Sequence, residues 1–223
     1  MQTASDDGSD ADFQDDFGDE VETEVPDPLE PVNRVIFRFN DKVYFYLFKP
    51  VAKAYRIVPE QARVSVADFF SNLFTPVRFV NSLLQLKFQD AGNELTRFLV
   101  NTTVGCAGFF DPAGNDAGLV KKEEDFGQTL GRYGVGGGFY IVLPFLGPSN
   151  LRDGIGLLAD GALNPIYYLG IGDGAKIGVR AYYSVNALSL DQDTYESIKR
   201  ESLDPYLFIR NAYGQRRDGF IKK

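Results

Sequence analysis

Residues 27–48, DPLEPVNRVIFRFNDKVYFYLF, decide the fold class of this chain. Asp27, Pro28 and Glu30 stand in the order of a capped helix start, with a proline at the first helical position and a carboxylate where a capping box places one. Ten of the fourteen residues at 35–48 are apolar. A helical wheel collects the polar side chains on one narrow face, interrupted only by Phe45: Arg34, Arg38, Asp41, Lys42 and Lys49. Such a helix is either a core helix or lies along a lipid interface with its basic face toward head groups.

The rest of the chain is predicted to be mainly helical. Five prolines precede segments in which apolar residues recur at helical spacing, and a proline suits the first position of a helix: Pro50, Pro59, Pro76, Pro165 and Pro205. Residues 174–200 have the pattern of a longer helix and residues 204–218 that of a terminal one. We therefore expect an all-α body of about eight helices.

A glycine-rich region interrupts the helical pattern. Of the 23 glycines, 18 lie at 105–178. Within it, residues 131–147 are predicted to form two short extended pieces around Gly136, Gly137 and Gly138, as a hairpin or an ordered loop. The segment is too apolar to face bulk water, so it either packs as a tight turn on the helices or lines an apolar space.

Charge divides the chain into two parts. Residues 1–30 carry twelve acids and no Lys or Arg, so the net charge of −8 leaves about +4 on residues 31–223. We expect residues 1–26 to be an acidic, disordered leader or tether and residues 27–223 to form one domain. The small and scattered basic surplus argues against nucleic-acid binding. No apolar run approaches the 18 or so residues of a spanning helix.

The composition argues against an enzyme. The chain has no histidine and one cysteine, Cys106, so it lacks the usual proton shuttle and cannot build the standard catalytic triads or structural zinc sites. Phosphate-binding and dinucleotide-binding glycine motifs are missing as well. We expect no metal, no cofactor and no covalent catalysis.

Many short motifs, in order along residues 27–218, resemble the VacJ/MlaA lipoprotein family of Gram-negative bacteria. The motifs are DPLE at 27–30, NR at 33–34, FN at 39–40, VNSLLQ at 80–85, RF at 97–98, NT at 101–102, GCAGF at 105–109, DPA at 111–113, FGQTLG at 126–131, YGVG at 133–136, Tyr140, LP at 143–144, GPS at 147–149, LRD at 151–153 and DPY at 204–206. No single motif is specific, whereas their common order is.

The resemblance implies a ring-like helical body in the outer membrane, around an amphipathic channel. It also implies removal of mislocalised phospholipids from the outer leaflet, transfer to a periplasmic lipid carrier, and association with a trimeric porin. Family members are lipid-anchored through an N-terminal cysteine on the periplasmic face. This chain has Met1 in that region, so we expect the anchor to have been removed.

Twelve residues are therefore candidates for contact with lipid or for lining the channel: Arg34, Arg38, Phe39, Asn40, Tyr133, Val135, Gly136, Gly137, Gly138, Tyr140, Leu143 and Phe145. The arginines either attract phosphates or form ordinary salt bridges. The glycine-rich segment is either a packed turn or a flexible hairpin that gates lipid passage. Asn81, Arg97 and Asn101 are interpreted as hydrogen-bonding groups between helices, with channel lining as the alternative.

Three other functions remain possible from the sequence. The protein is alternatively a soluble periplasmic lipid-binding carrier, a structural adaptor for a porin, or a phospholipase. Transport through a sheltered path is favoured because moving a diacyl lipid through water exposes about 30 methylenes, at ~0.8 kcal/mol each.

Overall fold

The computed structural model describes residues 25–191 and 193–222. Its first helix, α1 (Glu30–Val43), continues without a break through a π-helical turn (Tyr44–Phe48) into α2 (Lys49–Tyr55). The predicted cap at Asp27 is wrong, because Leu29 stands at the N-cap and makes no side-chain cap hydrogen bond. The Asp27 carboxylate instead accepts hydrogen bonds from Asn33, at 2.8 Å, and from the Tyr206 hydroxyl. The Asp27 side chain therefore makes long-range contacts instead of the local helix cap that the sequence predicted.

Helices account for most of the remaining structure, as predicted. They are α3 (Glu60–Leu73), α4 (Thr75–Leu84), α5 (Phe88–Thr103), α6 (Pro112–Asn115), α7 (Phe126–Arg132), α8 (Leu151–Leu163), a 3-10 turn (Pro165–Tyr168), α9 (Asp173–Leu190), α10 (Thr194–Glu201) and α11 (Pro205–Ile221). The segment expected as one helix at 174–200 divides into α9 and α10. The division occurs because Asp191 is extended and Asp193 is left-handed, with φ 60°.

The predicted hairpin exists, but its turn lies elsewhere. Strands β1 (Tyr140–Leu143) and β2 (Gly147–Asn150) pair antiparallel, with Tyr140 opposite Asn150 and Leu143 opposite Gly147. The turn therefore falls at residues 144–146, and Gly136, Gly137 and Gly138 belong to the loop before β1. Contacts from α1, described below, hold β1 in this register.

The elements pack in a closed circuit. Helix α2 contacts α9, α9 contacts α3, and α3 contacts α4 and α5. Helix α4 contacts α7 and α8, while α8 and α11 contact β2. Strand β1 then contacts α1, which is continuous with α2. The result is a ring-like, mainly helical body, as expected from the sequence.

Burial is inverted relative to a protein that folds in water. Among the described residues, twenty polar or charged residues are buried, against eight apolar ones. Thirty-six large apolar side chains in the same part of the chain are exposed. Water-soluble proteins bury mostly apolar residues and rarely bury charges. The surface of this protein is therefore suited to an apolar surrounding.

Several buried polar side chains form hydrogen bonds between elements of the fold. Asn81 of α4 donates to Asp160 of α8 at 2.8 Å and accepts a hydrogen bond from Thr129 of α7 at 2.9 Å. Asp111 accepts hydrogen bonds from Arg97 and Asn101 of α5, both at 2.8 Å. The prediction of hydrogen bonds between helices is confirmed for Asn81 and for Asn101, which also accepts from the Ala113 N–H of α6, whereas Arg97 bonds to the cap residue of α6 and to a loop carbonyl. Within the described ranges, no helix is long and apolar enough to cross a membrane.

Candidate functional site

A half-open cavity of about 520 Å³ lies between the helices and the hairpin, and it is the larger of two cavities that adjoin the hairpin. The second half of α1, the π-helical turn, the hairpin and the C-terminal half of α9 form its wall, with single residues from α10 and α11. Most lining side chains are apolar, among them Phe37, Val43, Phe48, Val142, Leu188 and Ile209. Ligand pockets of about 300–1,000 Å³ with apolar walls and few polar groups are typical of small-molecule sites. This cavity has the size and the lining to accept hydrocarbon.

The polar lining of the cavity is confined to a few side chains. They are Asn40, Asp41 and Tyr44 on the long helix, Tyr140 on β1, Tyr183 and Ser184 on α9, and Tyr195 on α10. Tyr195 donates to Asp41 at 2.9 Å, so two of these groups bind each other across the cavity edge. Burial and the Asp41 carboxylate both raise the pKa of Tyr195, so the hydroxyl stays protonated and remains a donor.

The π-helical turn orients this wall. The backbone N–H of Lys49 bonds to the carbonyl of Tyr44, five residues earlier, so the turn contains one residue more than an α-helical turn. Asp41, Phe45 and Lys49 follow one another at intervals of four residues through this turn and lie on one face, which is turned toward α10. The sequence predicted a continuous helix here, but no local signal in the sequence distinguished the wider turn.

A second cavity, of about 250 Å³, lies against the hairpin. Leu146 and Pro148 line both cavities, so the hairpin separates them. Leu143 and Leu157 supply further apolar wall of the smaller cavity. The opposite wall is polar and charged, with Asp125, Asp153, Asp160, Tyr213 and Arg217. The smaller cavity is thus amphipathic, whereas the larger is nearly apolar.

Arg217 of α11 organises the charged wall. Its guanidinium bonds to Asp125 at 2.5 and 2.8 Å and lies 2.8 Å from Asp153. Burial alone would raise the pKa of Asp125, but the hydrogen bonds and charge of Arg217 outweigh it and hold the pKa low. Asp160 has no such cation in contact, and burial raises its pKa to about 6. One wall therefore carries both a firmly ionised carboxylate and one that titrates near neutral pH.

The structure brings some of the predicted residues together. Asn40, Tyr140 and Phe145 line the larger cavity, and Leu143 lines the smaller one. Phe39 lies outside the larger cavity, but its ring packs edge-on against Phe145, with centroids 5.2 Å apart. The hairpin tip and α1 are thus one unit.

Other predicted residues lie outside both cavities. Arg34 binds Glu30 at 2.7 Å and Asp204 at 2.8 Å, which is the ordinary salt-bridge alternative. Arg38 is exposed and forms no ion pair or hydrogen bond within residues 25–191 and 193–222. Tyr133 donates its hydroxyl to the carbonyl of Leu84 at 2.6 Å. The loop with Val135, Gly136, Gly137 and Gly138 precedes the hairpin without entering either cavity.

Sequence reasoning missed the wall contributed by α9. Tyr183, Ser184, Ala187 and Leu188 recur at helical spacing and line the larger cavity. That spacing predicted a helix but not which element its face would meet. Groups of His, Cys, Asp or Glu able to hold a metal ion are not found in the part of the chain that the structure describes.

Comparisons with known proteins place the chain in a family. The family model for the MlaA lipoprotein matches residues 25–219. The intermembrane phospholipid transport system lipoprotein MlaA of Escherichia coli (strain K12) is 40% identical over 200 residues, covering 86% of this chain and 77% of that protein. The lipoprotein of the same name from Haemophilus influenzae is 34% identical over 199 residues, covering 86% and 78%.

A solved structure, described as the structural basis for maintenance of bacterial outer membrane lipid asymmetry, has the same fold. It is 38% identical, has a TM-score of 0.73, and the match covers 87% of this chain and 98% of that one. Sequence and fold therefore agree over nearly the whole described body. This chain belongs to the MlaA lipoprotein family.

Proposed function

We propose that this protein is an outer-membrane component of phospholipid transport that helps to maintain lipid asymmetry and performs no covalent chemistry. The observation that carries the proposal is the half-open, mostly apolar cavity of about 520 Å³ in a body whose described residues leave thirty-six large apolar side chains exposed. The relatives named for intermembrane phospholipid transport and the structural neighbour described for lipid asymmetry support it.

The outer surface suits a bilayer. Tyr46 in the π-helical turn, Ile57 just after α2 and Leu158 in α8 are each about 80% exposed or more. In water such a surface favours aggregation, whereas acyl chains cover it at no hydrophobic cost. Many buried polar side chains, such as Asn81, Glu94 and Asp111, bond to one another between elements of the fold, which suits a lipid environment. A soluble carrier has no use for this arrangement, so the membrane assignment is preferred.

The cavities suit the two ends of a phospholipid. Each methylene that leaves water contributes about 0.8 kcal/mol, so acyl chains require a continuous apolar shelter. The larger cavity offers that shelter, and the polar groups on its edge offer a place for the head group. The polar wall behind the hairpin adds a hydrated surface next to the apolar one. Together these surfaces form the amphipathic passage in this proposal.

The finer assignments follow the family resemblance. In our proposal, the protein removes mislocalised phospholipids from the outer leaflet and passes them to a periplasmic lipid carrier while associated with a trimeric porin. It lies at the periplasmic face, with residues 27–223 as the working domain. Residues 1–26 are proposed as its tether; residues 1–24 lie outside the described part of the chain.

The experiment replaces each of two alanines on α9 with phenylalanine and compares the two variants. Ala187 lines the larger cavity, whereas Ala175 is exposed in the first turn of α9 and does not. We expect Ala187→Phe to fill the cavity and to reduce the phospholipid that co-purifies after mild extraction, measured by lipid mass spectrometry. Ala175→Phe, which adds the same volume elsewhere, should retain the wild-type amount.

The other candidate functions give different results in the same preparation. A protein that remains monodisperse without detergent and still carries lipid is a soluble carrier. Co-purification of a porin with no bound lipid indicates an adaptor, and release of fatty acid from pure phospholipid indicates a phospholipase. Equal lipid content in the two phenylalanine variants would remove the cavity from the transport path.

A further inference from the structure

Four charged side chains meet at one edge of the larger cavity, between the long helix and α10. Lys199 bonds to both carboxylate oxygens of Asp41, at 2.7 and 2.8 Å. Lys49 forms an ion pair with Glu196. We call Asp41, Lys49, Glu196 and Lys199 the α10 charge cluster. It contains two acids and two bases, so its formal charge is zero.

The cluster opens both to the cavity and to the outside. Asp41 lines the cavity, and so do Tyr44 and Tyr195, whose hydroxyls donate to Glu196 at 2.8 Å and to Asp41 at 2.9 Å. The Lys199 side chain is 40% exposed, whereas Glu196 is 16% exposed. Charge, hydroxyl donors and apolar wall therefore adjoin one another, as a site for an amphiphile requires.

Contacts within the cluster hold the Glu196 carboxylate in its ionised form. Burial alone would raise the pKa of Glu196, but hydrogen bonds from Lys49 and Tyr44 lower it below its usual value. The ammonium groups of Lys49 and Lys199 also lie over the ring of Phe45, at 5.4 and 4.6 Å from its centroid. Lys199 reaches the cavity edge through Asp41, and Lys49 does so through Glu196 and Tyr44.

Helix α10 is attached in a way that permits exchange of these contacts. None of its described residues is buried. It is preceded by Asp193, in the left-handed conformation, and followed by Leu203, which is fully exposed. Its described contacts with the long helix are the polar ones above and aromatic ones, such as Tyr44 with Tyr195 at 4.8 Å. A ligand that replaces the ion pairs displaces α10 without uncovering a buried core.

We propose that the α10 charge cluster is the head-group subsite of the cavity and that it selects a zwitterionic head group with one phosphate and one amine. This inference rests on the proposed function. The phosphate binds Lys49 and Lys199, and the amine binds Asp41 and Glu196. Every charge of the opened cluster then has an opposite charge beside it.

An anionic head group without an amine fits the cluster less well. It takes the two lysines and leaves both carboxylates without a cation, next to an apolar wall. A partly buried charge that loses its partner is costly, because its solvation has already been lost. Selection therefore arises from the unpaired acids and not from a weaker contact with the phosphate.

The test compares two double variants with the same charge change. Asp41→Asn with Glu196→Gln removes both acids of the cluster. Glu123→Gln with Asp173→Asn, the control, removes two acids from exposed pairs with Lys121 and Lys176. Each full-length protein is equilibrated with mixed micelles of equal phosphoethanolamine and phosphoglycerol lipid, and the retained lipids are quantified by mass spectrometry.

We expect the wild type and the control to enrich the phosphoethanolamine lipid. In the Asp41→Asn, Glu196→Gln protein, the ratio of the two lipids should fall about tenfold, as loss of about 1.4 kcal/mol of discrimination implies. An unchanged ratio overturns the proposal. Water-soluble glycerophosphoethanolamine should not displace the lipid; equal displacement would indicate a site for the free head group instead of a lipid.

A second variant keeps the result interpretable if the first fails to fold. Lys49→Gln with Lys199→Gln removes the phosphate ligands and should reduce retention of both lipids, with helicity checked by circular dichroism. Undiminished retention in this variant contradicts the subsite. Absence of lipid from the wild type would instead contradict the proposed function itself, whereas lipid retained at an unaltered ratio contradicts only the head-group assignment.

Discussion

The carboxamide oxygen of Asn40 accepts a hydrogen bond from the backbone N–H of Phe145 at 2.8 Å, which ties the tip of the hairpin to α1. The amide nitrogen of the same side chain donates to the carbonyl of Leu143 at 2.9 Å. One side chain thus satisfies a donor and an acceptor of the turn. The hairpin is fixed to the helix that forms the opposite part of the cavity wall.

Asn33, two helical turns earlier, repeats this arrangement along β1. It donates to the carbonyl of Tyr140 at 3.0 Å and accepts from the N–H of Val142 at 2.9 Å. The two asparagines lie seven residues apart, on one face of α1. Strand β1 pairs with β2 on one edge only. On its other edge, and at the turn, the two carboxamides bond to backbone groups that a third strand would otherwise pair.

Replacing Asn33 should destabilise the protein more than replacing Asn40. Asn33→Ala leaves buried strand groups unpaired and should lower the free energy of unfolding by about 2–3 kcal/mol, whereas Asn40→Ala acts at an exposed turn and should cost about 1 kcal/mol. Urea unfolding measures both values. In Asn40→Ala, hydrogen exchange at the Phe145 amide should accelerate with little change elsewhere. Equal losses in the two variants would show that the turn is as tightly enclosed as the strand.

Two glycines in the loop before β1 allow the effect of a stiffer chain to be separated from the effect of backbone strain. A Cβ at Gly136 meets no atom within 4 Å, whereas Gly138 has φ +69° and its Cβ would lie 3.1 Å from that of Leu151. Gly136→Ala should leave stability within about 0.5 kcal/mol of wild type, and Gly138→Ala should cost about 1 kcal/mol. If motion of this loop gates lipid passage, Gly136→Ala should slow lipid transfer several-fold at unchanged helicity. Unaltered transfer in this variant would remove the gating hypothesis.

The helical fold was predictable because its signals are local. Apolar spacing and prolines at helix starts mark most helices, and Asp204 caps α11 with hydrogen bonds to Tyr206 and Leu207. The position of the hairpin turn was not predictable in the same way. Three consecutive glycines are a stronger local turn signal than Pro-Phe-Leu at 144–146. Hydrogen bonds from α1, more than 100 residues away in sequence, decide the register.

Of the candidate site, only the wall formed by α1 and the hairpin was predictable, because the family motifs lie in these two elements. Asn40, Tyr140 and Phe145 lie in such motifs or beside them, and all three line the larger cavity. The α9 wall and the α10 charge cluster lie where no motif was found. Their roles arise from pairing across about 150 residues, as between Asp41 and Lys199. Single-sequence periodicity carries no information on such pairing.

Breaking a buried ion pair should be far more costly than breaking an exposed one. Arg78 and Glu94 lie 2.7 Å apart, with side chains 8% and 0% exposed. Glu94→Gln leaves the arginine buried without a counter-charge and should lower the free energy of unfolding by about 3–5 kcal/mol. Glu201→Gln, in the exposed pair with Arg200, should change it by less than about 1 kcal/mol. Similar urea midpoints for the two variants would show that water reaches the Arg78 site.

Asp160 should make stability depend on pH in a direction opposite to that of the paired carboxylates. Burial, which is only partly offset by hydrogen bonds from Phe126 and Asn81, raises the pKa of Asp160 from 3.8 to about 6. The folded state therefore binds this proton more tightly than the unfolded state. The resulting contribution of Asp160 to the free energy of unfolding is complete below about pH 4 and is lost as the pH rises through about 6. The Asp160→Asn variant does not lose this contribution as the pH rises. Its free energy of unfolding minus that of the wild type should therefore increase from pH 4 to pH 7. The lowered pKa of Asp125 gives the opposite slope, but in both proteins, so it cancels in the difference. Thermal unfolding across this range, with the exposed Asp173→Asn as control, measures the effect, and parallel curves for wild type and Asp160→Asn would contradict it.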